Sequence, residues 1–458
     1  MKSLFAPTDM TVGKPWKSII AFSIPMLIGN IAQQLYSTVD SIVVGHYEGD
    51  NALAAIGSVL PILNMLLVLF IGISAGATIM VSQYFGAKNR EKLSITIGNC
   101  ITITAIASIV LMIVTPPFVR QILGALNTPA TIIDDCTDYL VISMLGIAGM
   151  AYYNILSGII RGMGDSVAAL AYLLVATVVN IVLDVLFVAS FKMGVAGVAL
   201  ATIISQFISS FLCVRKLMKM TQYFDLNLKT LKLQKSCVGT IVRLGLPSGL
   251  TQAIMSSAMI VVQSLTNQFG EQFIAANVVV MRVDGFAMMP NLSFGTAMTT
   301  FAGQNIGAKK LDRVSVGAKQ GLLISVICST VITGIILLFG KYLMRAFTDT
   351  EDLVNLSVHL MRILAAGYIA MAVTQSLSGI MRGAGDTVTP MWISLITTIF
   401  LRIPLAYGIS WLTRSPEFPL GYKECIQISL LITWIMGAVL TTIFYLKGNW
   451  RNKAIDHV

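Results

Sequence analysis

Two aspartates stand in apolar stretches of the first half of the chain, each with polar neighbours at helical spacing. Asp184 follows Asn180 by four residues and Asp40 follows Tyr36 by four, so each pair lies on one face of a helix. Thr202 stands in the next apolar stretch after Asp184. Carboxylate, amide and hydroxyl oxygens bind hard cations, and two desolvated carboxyl groups can share a proton. These residues therefore predict a site that takes up Na⁺ or a proton. The alternative is that the two acids only tie helices together, but they have no basic partner in the same half.

A polar stripe runs along the stretch that contains Asp40. Asn30, Gln33 or Gln34, and Ser37 precede this aspartate at steps of three or four residues, which places them on one helix face. Two interpretations of the stripe remain open. Its members could contribute to the cation or proton site, or they could form hydrogen bonds between neighbouring helices. Hydrogen bonding between helices is an equally open role for Thr202.

The chain is a duplicated unit. The segment LSGIIRGMGDSV at 156–167 recurs as LSGIMRGAGDTV at 377–388, and QYFGAK at 83–88 recurs as QNIGAK at 304–309. Both pairs are 221 residues apart (156 to 377, and 83 to 304). In an apolar chain, internal duplication is typical of secondary transporters built from two related halves.

The second half lacks the acids of the first. At the repeat offset, Asn180 corresponds to Leu401 and Asp184 corresponds to Leu405. Duplication followed by loss predicts that ion coupling belongs to the first half alone.

A separate charged cluster occurs in the second half. Asp284 and Arg282 are close in sequence, and Arg402 lies in a later apolar stretch. Charged groups in a bilayer normally face protein or water. Asp284 therefore either forms a structural ion pair with Arg402 or contacts the substrate.

Composition places the chain in a membrane. Hydrophobic residues make up 56% and charged residues 11%, whereas soluble proteins carry about 25% charged residues. Stretches of about 20 apolar residues are long enough to span a bilayer as helices. Twelve are predicted, at roughly 17–44, 53–84, 95–118, 139–160, 167–190, 194–214, 238–266, 273–302, 317–340, 356–380, 388–412 and 426–446. Six spans per half is an even number, so the repeat is parallel rather than inverted.

Loop charge predicts the orientation. Most Lys and Arg outside the spans fall on the side of the two termini, including the basic connection at 215–237. The positive-inside rule then places both termini in the cytoplasm of a cell-membrane protein. The net charge of +10 is thus a topology signal, and no nucleic-acid partner is expected. The predicted organisation is an N-terminal lobe at 1–220 that carries the coupling site, a cytoplasmic linker at 221–237 and a C-terminal lobe at 238–458.

The repeated RGxGD motif predicts two structural turns on the cytoplasmic side. Arg161 and Asp165 in the first copy, and Arg382 and Asp386 in the second, are expected to clamp a glycine-assisted reversal of the chain.

Enzymatic functions lack support in the sequence. No GxxxxGK[ST], HExxH or GxSxG motif occurs, and His46, His359 and His457 are isolated. We expect no enzyme and no bound cofactor or metal, apart from a coupling H⁺ or a transient Na⁺. Transport must then be driven by an ion gradient.

The chain resembles the multidrug and toxic compound extrusion (MATE) transporters over nearly its whole length. The resemblance is carried by the YSTVDSIVVG run of span 1, the RGxGD turns, the NxxxD of span 5 and the GVAGVALAT start of span 6. It implies an all-α membrane protein with two six-helix lobes in a V shape. It also implies export of organic, often cationic or amphiphilic, compounds in exchange for Na⁺ or H⁺.

The resemblance also implies roles for single residues. Asp40, Asn180, Asp184 and Thr202 match the coupling positions of members that couple through the first lobe. Tyr36, Tyr139 and Asn154 resemble the polar residues of the substrate cavity in that family. Further candidates for the lining of this cavity are Asn30, Gln34, Met255 and Asp284.

Met255 and Met371 stand where the NorM-type branch carries acids, so the chain is closer to the DinF-like branch. The expected partners are small-molecule drugs or organic cations and membrane lipid, and the expected state is a monomer. The alternative function is a lipid-linked saccharide flippase of the same superfamily.

Overall fold

The computed structural model describes residues 7–126, 128–348 and 350–455, without the side chains at 37, 39–42, 50, 51, 53 and 54. The helices in chain order are α1 Pro15–Tyr47, α2 Asp50–Gly86, α3 Arg90–Val114, α4 Val119–Ala125, α5 Ile133–Leu145, α6 Ile147–Gly162, α7 Ser166–Asp184, α8 Gly194–Met218, α9 Leu228–Leu231, α10 Lys235–Thr266, α11 Glu271–Gly307, α12 Leu311–Arg345, α13 Glu351–Gly383, α14 Val388–Leu395, α15 Ile403–Leu412 and α16 Cys425–Lys447. Two π-helical segments interrupt this pattern, Val185–Ser190 after α7 and Ile396–Arg402 between α14 and α15.

The helices confirm the predicted membrane architecture. Within the described residues, eleven are long and apolar enough to cross a bilayer, and counting one bent pair as a single span gives twelve. The bent pair is α5 and α6, which meet at an angle of 53° around Gly146. Gly146 lies against Ile203 of α8, where a Cβ atom would collide with the isoleucine side chain. The fourth predicted span is therefore broken rather than straight.

The described helices divide into two compact units. The first is built on Ile24–Gly249, and the second on Met10–Ser23 together with the chain from Leu250 onward. This division differs from the predicted boundaries at 220 and 237. The linker and the first turns of α10 belong to the first unit, and a segment near the N-terminus belongs to the second.

The segment that precedes α1 is held by hydrogen bonds to the second unit. The backbone N–H of Met10 donates to Gln304 Oε1 at 2.8 Å, and Asn305 Nδ2 donates to the Met10 carbonyl at 3.2 Å. Arg313 donates to the carbonyls of Val12 and Gly13 at 2.7 and 2.6 Å. Because main-chain carbonyls are the acceptors, this attachment depends on the path of the segment more than on its side chains.

The predicted linker is equally well fixed on the first unit. Asn99 of α3 donates to the Lys232 carbonyl at 3.2 Å and accepts from the Gln234 N–H at 2.8 Å. Arg90 holds Asp225 through two hydrogen bonds of 2.7 and 2.8 Å, which lower the pKa of the Asp225 carboxyl. The connection between the halves is thus a packed part of the first unit.

Close helix crossings at small residues hold each unit together. In the first unit, Gly158 of α6 meets Ser74 of α2, and the Thr78 hydroxyl donates to the Gly158 carbonyl at 3.0 Å. In the second unit, Gly379 of α13 meets the backbone of Gly295 of α11. These contacts are related by the same offset of 221 (74 to 295, and 158 to 379). Without hydrophobic driving force in lipid, helix association relies on such close packing.

The crossing of α11 and α13 yields a prediction about stability. In Gly379→Ala, the added Cβ would collide with the Gly295 carbonyl oxygen, which belongs to the backbone and cannot rotate away. We expect a loss of about 1–3 kcal/mol in the free energy of unfolding, measured as a lower melting temperature of purified protein.

The matched control for this prediction is Gly334→Ala in α12, where an added Cβ meets no atom within 4 Å. That variant should melt at the same temperature as the wild type or higher, because alanine favours helix. Equal melting of the two variants would contradict the close packing of α11 on α13.

Candidate functional site

The first unit brings the predicted coupling residues of spans 5 and 6 onto neighbouring helices. Asn180 and Asp184 lie one turn apart on α7, and both are fully buried. In the first unit α7 packs against α8, which carries the buried Thr202. Within the described residues the Thr202 hydroxyl has no hydrogen-bond partner. A buried carboxylate, an amide and a free hydroxyl thus occur on two adjacent helices.

The local backbone around Asp184 is irregular. Asp184 is the last residue of α7, and the π-helical Val185–Ser190 follows it directly. π-helical turns shift the register of the carbonyl groups and occur frequently at functional sites. The carboxylate is therefore placed where the regular hydrogen bonding of the helix changes.

The first span carries the remaining predicted coupling residue. Asp40 lies in α1, but its side chain is outside the described part of the structure, so its place in the site stays a prediction. On the same helix Tyr36 is buried, and Asn30 and Gln34 are partly buried.

The other cavity candidates of the first unit have different environments. Tyr139 of α5 is buried. Asn154 of α6 is partly buried, and its amide nitrogen donates to the Met150 carbonyl at 2.8 Å. Its own carbonyl accepts from the Ser74 hydroxyl at 2.8 Å. Asn154 therefore takes part in the crossing of α2 and α6, and its side-chain oxygen remains as the group that could reach a ligand.

The RGxGD turns have the predicted shape but different ionic partners. Asp165 caps α7 by accepting from the Ala168 N–H at 2.9 Å, and it pairs with Lys216 at 2.9 Å. Among the described contacts, no hydrogen bond or ion pair joins Arg161 to Asp165. It lies in the last turn of α6 and donates to the Ser157 hydroxyl at 3.2 Å.

The second copy of the turn repeats this arrangement. Asp386 accepts from the Thr389 N–H at 3.2 Å and the Thr389 hydroxyl at 2.8 Å, and it pairs with Lys453 at 3.0 Å. Arg382 lies in the last turn of α13. In both copies the aspartate caps the following helix and holds a lysine from a later helix or turn.

Met255 and Asp284 of the second unit line one cavity of about 220 Å³. Arg402 lines the same cavity. Among the ion pairs of the described residues, none joins Asp284 to Arg402 within 4.0 Å. Arg282 is exposed, and the cavity wall does not include it. Of the three charged residues that the sequence analysis grouped together, Asp284 and Arg402 thus line one cavity, whereas Arg282 does not.

The same cavity contains polar residues that the sequence analysis did not identify. Gln427 of α16 donates to the Asn277 side-chain oxygen at 2.9 Å, and Thr397 and Thr398 belong to the π-helical segment before α15. The sequence signal that could have indicated this cavity wall is the helical spacing of Asn277, Met281 and Asp284 along α11.

Comparison with known families decides the identity of the fold. The model of the MatE family matches residues 25–186 and again 247–408, once in each half of the duplicated sequence. The chain belongs to the MatE family.

Relatives of this MatE protein are similar over their full length. The probable multidrug resistance protein YoeA of Bacillus subtilis is 30% identical, with 97% of this chain and 96% of the relative covered. The probable multidrug resistance protein NorM of Thermotoga maritima is 25% identical, with 96% and 94% covered.

The fold of the MatE chain also matches solved structures. One is a multidrug resistance MATE family transporter of the MOP superfamily in an outward-facing conformation. It has a TM-score of 0.89 at 23% identity, with 96% of this chain and 97% of that chain covered.

Variants at the Asp386 turn can test whether this turn stabilises the MatE protein or takes part in transport. Asp386→Ala removes the cap of α14 and should cost about 0.5–2 kcal/mol, seen as a lower folded yield and melting temperature. Transport per folded molecule should stay unchanged. The comparison variant Lys453→Met keeps the cap but leaves the buried Asp386 carboxylate without its ion pair, so it measures the contribution of the ion pair alone. Normal folding of Asp386→Ala with lost transport would show that the turn acts in transport.

Proposed function

We propose that this MatE chain is a secondary active multidrug efflux antiporter that exports organic, often cationic or amphiphilic, compounds in exchange for H⁺ or Na⁺. Family membership and the names of the full-length relatives support efflux. We infer ion coupling from one observation, namely that the fully buried Asp184 lies in a membrane-spanning helix. A carboxylate in that position costs about 2.5–3.5 kcal/mol on insertion scales, and reversible binding of a cation offsets this cost.

Coupling belongs to the first unit in this proposal. Asp184, Asn180 and Thr202 supply oxygen atoms on the adjacent helices α7 and α8, and Asp40 supplies a second carboxylate from α1. The corresponding positions of the second unit are Leu401 and Leu405, which can bind no cation.

Transport then follows an alternating-access cycle. In the outward-open state the carboxylates of Asp40 and Asp184 take up the external cation. Neutralisation of these charges changes the polar contacts of α1 and weakens drug binding, so that the drug leaves. Release of the cation inside resets the cycle. The ligand shifts the equilibrium between states because it binds one of them more tightly.

The branch and the orientation are part of the same proposal. Met255 and Met371 replace the acids of the NorM-type branch and line the cavity of the second unit, which favours a DinF-like assignment. Both termini lie in the cytoplasm, because the basic connection at 215–237 and the termini share one side. The working unit is a monomer in the cell membrane, without a cofactor beyond the coupling ion.

The decisive test uses purified protein in liposomes with Na⁺ and pH gradients imposed separately. Wild-type protein should move a fluorescent cationic dye uphill with at least one gradient. Asp184→Asn and Asp40→Asn should fold and still bind the dye, but uphill movement should fall to background. The control Glu271→Gln changes an exposed acid at the start of α11 and should transport normally.

Two results would contradict the proposal. Gradient-driven transport at the wild-type rate in both aspartate variants would remove the coupling site. Movement of labelled lipid at equal rates with and without a gradient, in the absence of dye transport, would favour the lipid-linked saccharide flippase instead.

A further inference from the structure

The cavity of the second unit combines an adaptable apolar wall with two opposite charges. It contains five methionines and a tryptophan, namely Met255, Met259, Met281, Met288, Met371 and Trp434. Met255, Met259 and Met281 are exposed, whereas Met371 is buried. The exposed methionines therefore form the opening, and their flexible side chains can fit apolar groups of different shapes.

Several polar atoms of this cavity have no hydrogen-bond partner within the described residues, although Asp284 interacts with Tyr368 and with Arg402. Asp284 Oδ1 and Arg402 Nε are both buried without a hydrogen-bond partner. The side-chain oxygen of Gln427 is also buried and unpartnered, although its nitrogen donates to Asn277. Leaving a buried acceptor or donor unpaired costs about 1–3 kcal/mol, and more for a charged group. Three such atoms around one cavity point to a ligand that brings charged and polar groups of its own to this cavity.

The backbone near Arg402 supports the same conclusion. Arg402 is the last residue of the π-helical segment Ile396–Arg402, and Thr397 and Thr398 of that segment line the cavity. π-helical turns are frequent at functional sites. Asp284 reaches the cavity from α11, so the two charges come from different helices.

We infer that this cavity binds the charged end of a zwitterionic amphiphile, with its ammonium group at Asp284 and its carboxylate at Arg402. An arginine is suited to a carboxylate because its planar donors match the two oxygens. The volume of about 220 Å³ is below the roughly 300–1,000 Å³ of pockets for drug-sized ligands. The charged end therefore lies inside, and the apolar tail leaves between the exposed methionines. The inference deepens the proposed function, since it names one class of compounds for the transporter, but binding does not require ion coupling.

The test measures binding to full-length protein in lipid nanodiscs without a gradient. Three probes with short alkyl tails carry different charges: a hexyl betaine has both charges, hexyltrimethylammonium has the positive charge alone, and hexanoate has the negative charge alone. Trp434 lines the cavity, so its fluorescence reports binding, and Trp434→Phe gives the background from the other tryptophans. Wild-type protein should bind the betaine roughly tenfold or more tighter than either singly charged probe.

Variants assign each charge to its residue. Arg402→Gln should weaken the betaine and hexanoate but leave hexyltrimethylammonium unchanged, and Asp284→Asn should weaken the betaine and hexyltrimethylammonium only. The control Arg282→Gln removes an exposed charge outside the cavity wall and should bind all three probes normally.

Two results would overturn the inference. One is equal affinity of the wild-type protein for the three probes. The other is a lower melting temperature of Asp284→Asn with unchanged betaine binding, which would make the aspartate structural. Neither result bears on ion-driven efflux, which is measured with gradients and depends on Asp184, so failures of the two proposals are distinguishable.

Discussion

Water is absent from the hydrocarbon core of a bilayer, so a charged side chain there needs a partner within the protein or a cavity that holds one. This constraint explains how the polar residues of the chain are distributed. Basic residues lie mostly in loops, and the buried acids Asp165 and Asp386 at the ends of spans meet lysines at about 3 Å. Asp184, Asp284 and Arg402 lie deeper, and each stands next to a π-helical segment or a cavity.

The two units share their packing and differ in their chemistry. Small residues meet at equivalent crossings, Gly158 on Ser74 and Gly379 on Gly295, and an aspartate caps the same helix in each copy of the turn. The polar residues within the spans diverged, so that Asp184 in one copy corresponds to Leu405 in the other. Duplication kept the contacts that hold helices together and left the cavity walls free to change.

Much of the fold could be predicted because hydropathy and repeats are local properties of the sequence. The twelve spans and the positions of the RGxGD turns needed no knowledge of distant contacts. The partners of Asp165 and Asp386 could not be predicted, because Lys216 and Lys453 come from later elements and many lysines were equally available. The break at Gly146 depends on Ile203 of another helix.

For the candidate site, spacing along one helix was enough to place Asn180 with Asp184. It could not identify the wall formed by Asn277 and Gln427, which are 150 residues apart. The boundaries of the two compact units likewise depend on contacts such as Gly245 against Gly72 rather than on composition.

The attachment of Met10 has a consequence for biosynthesis. Its partners Gln304 and Asn305 lie about 300 positions later (separations of 294 and 295). During translation this segment emerges from the ribosome long before those partners exist, so it cannot dock until α11 has been made. Contacts between residues so distant in sequence form slowly, since a long loop must close first. A change in the segment from Met10 to Gly13 should therefore impair the maturation of α11 and α12, which are made much later.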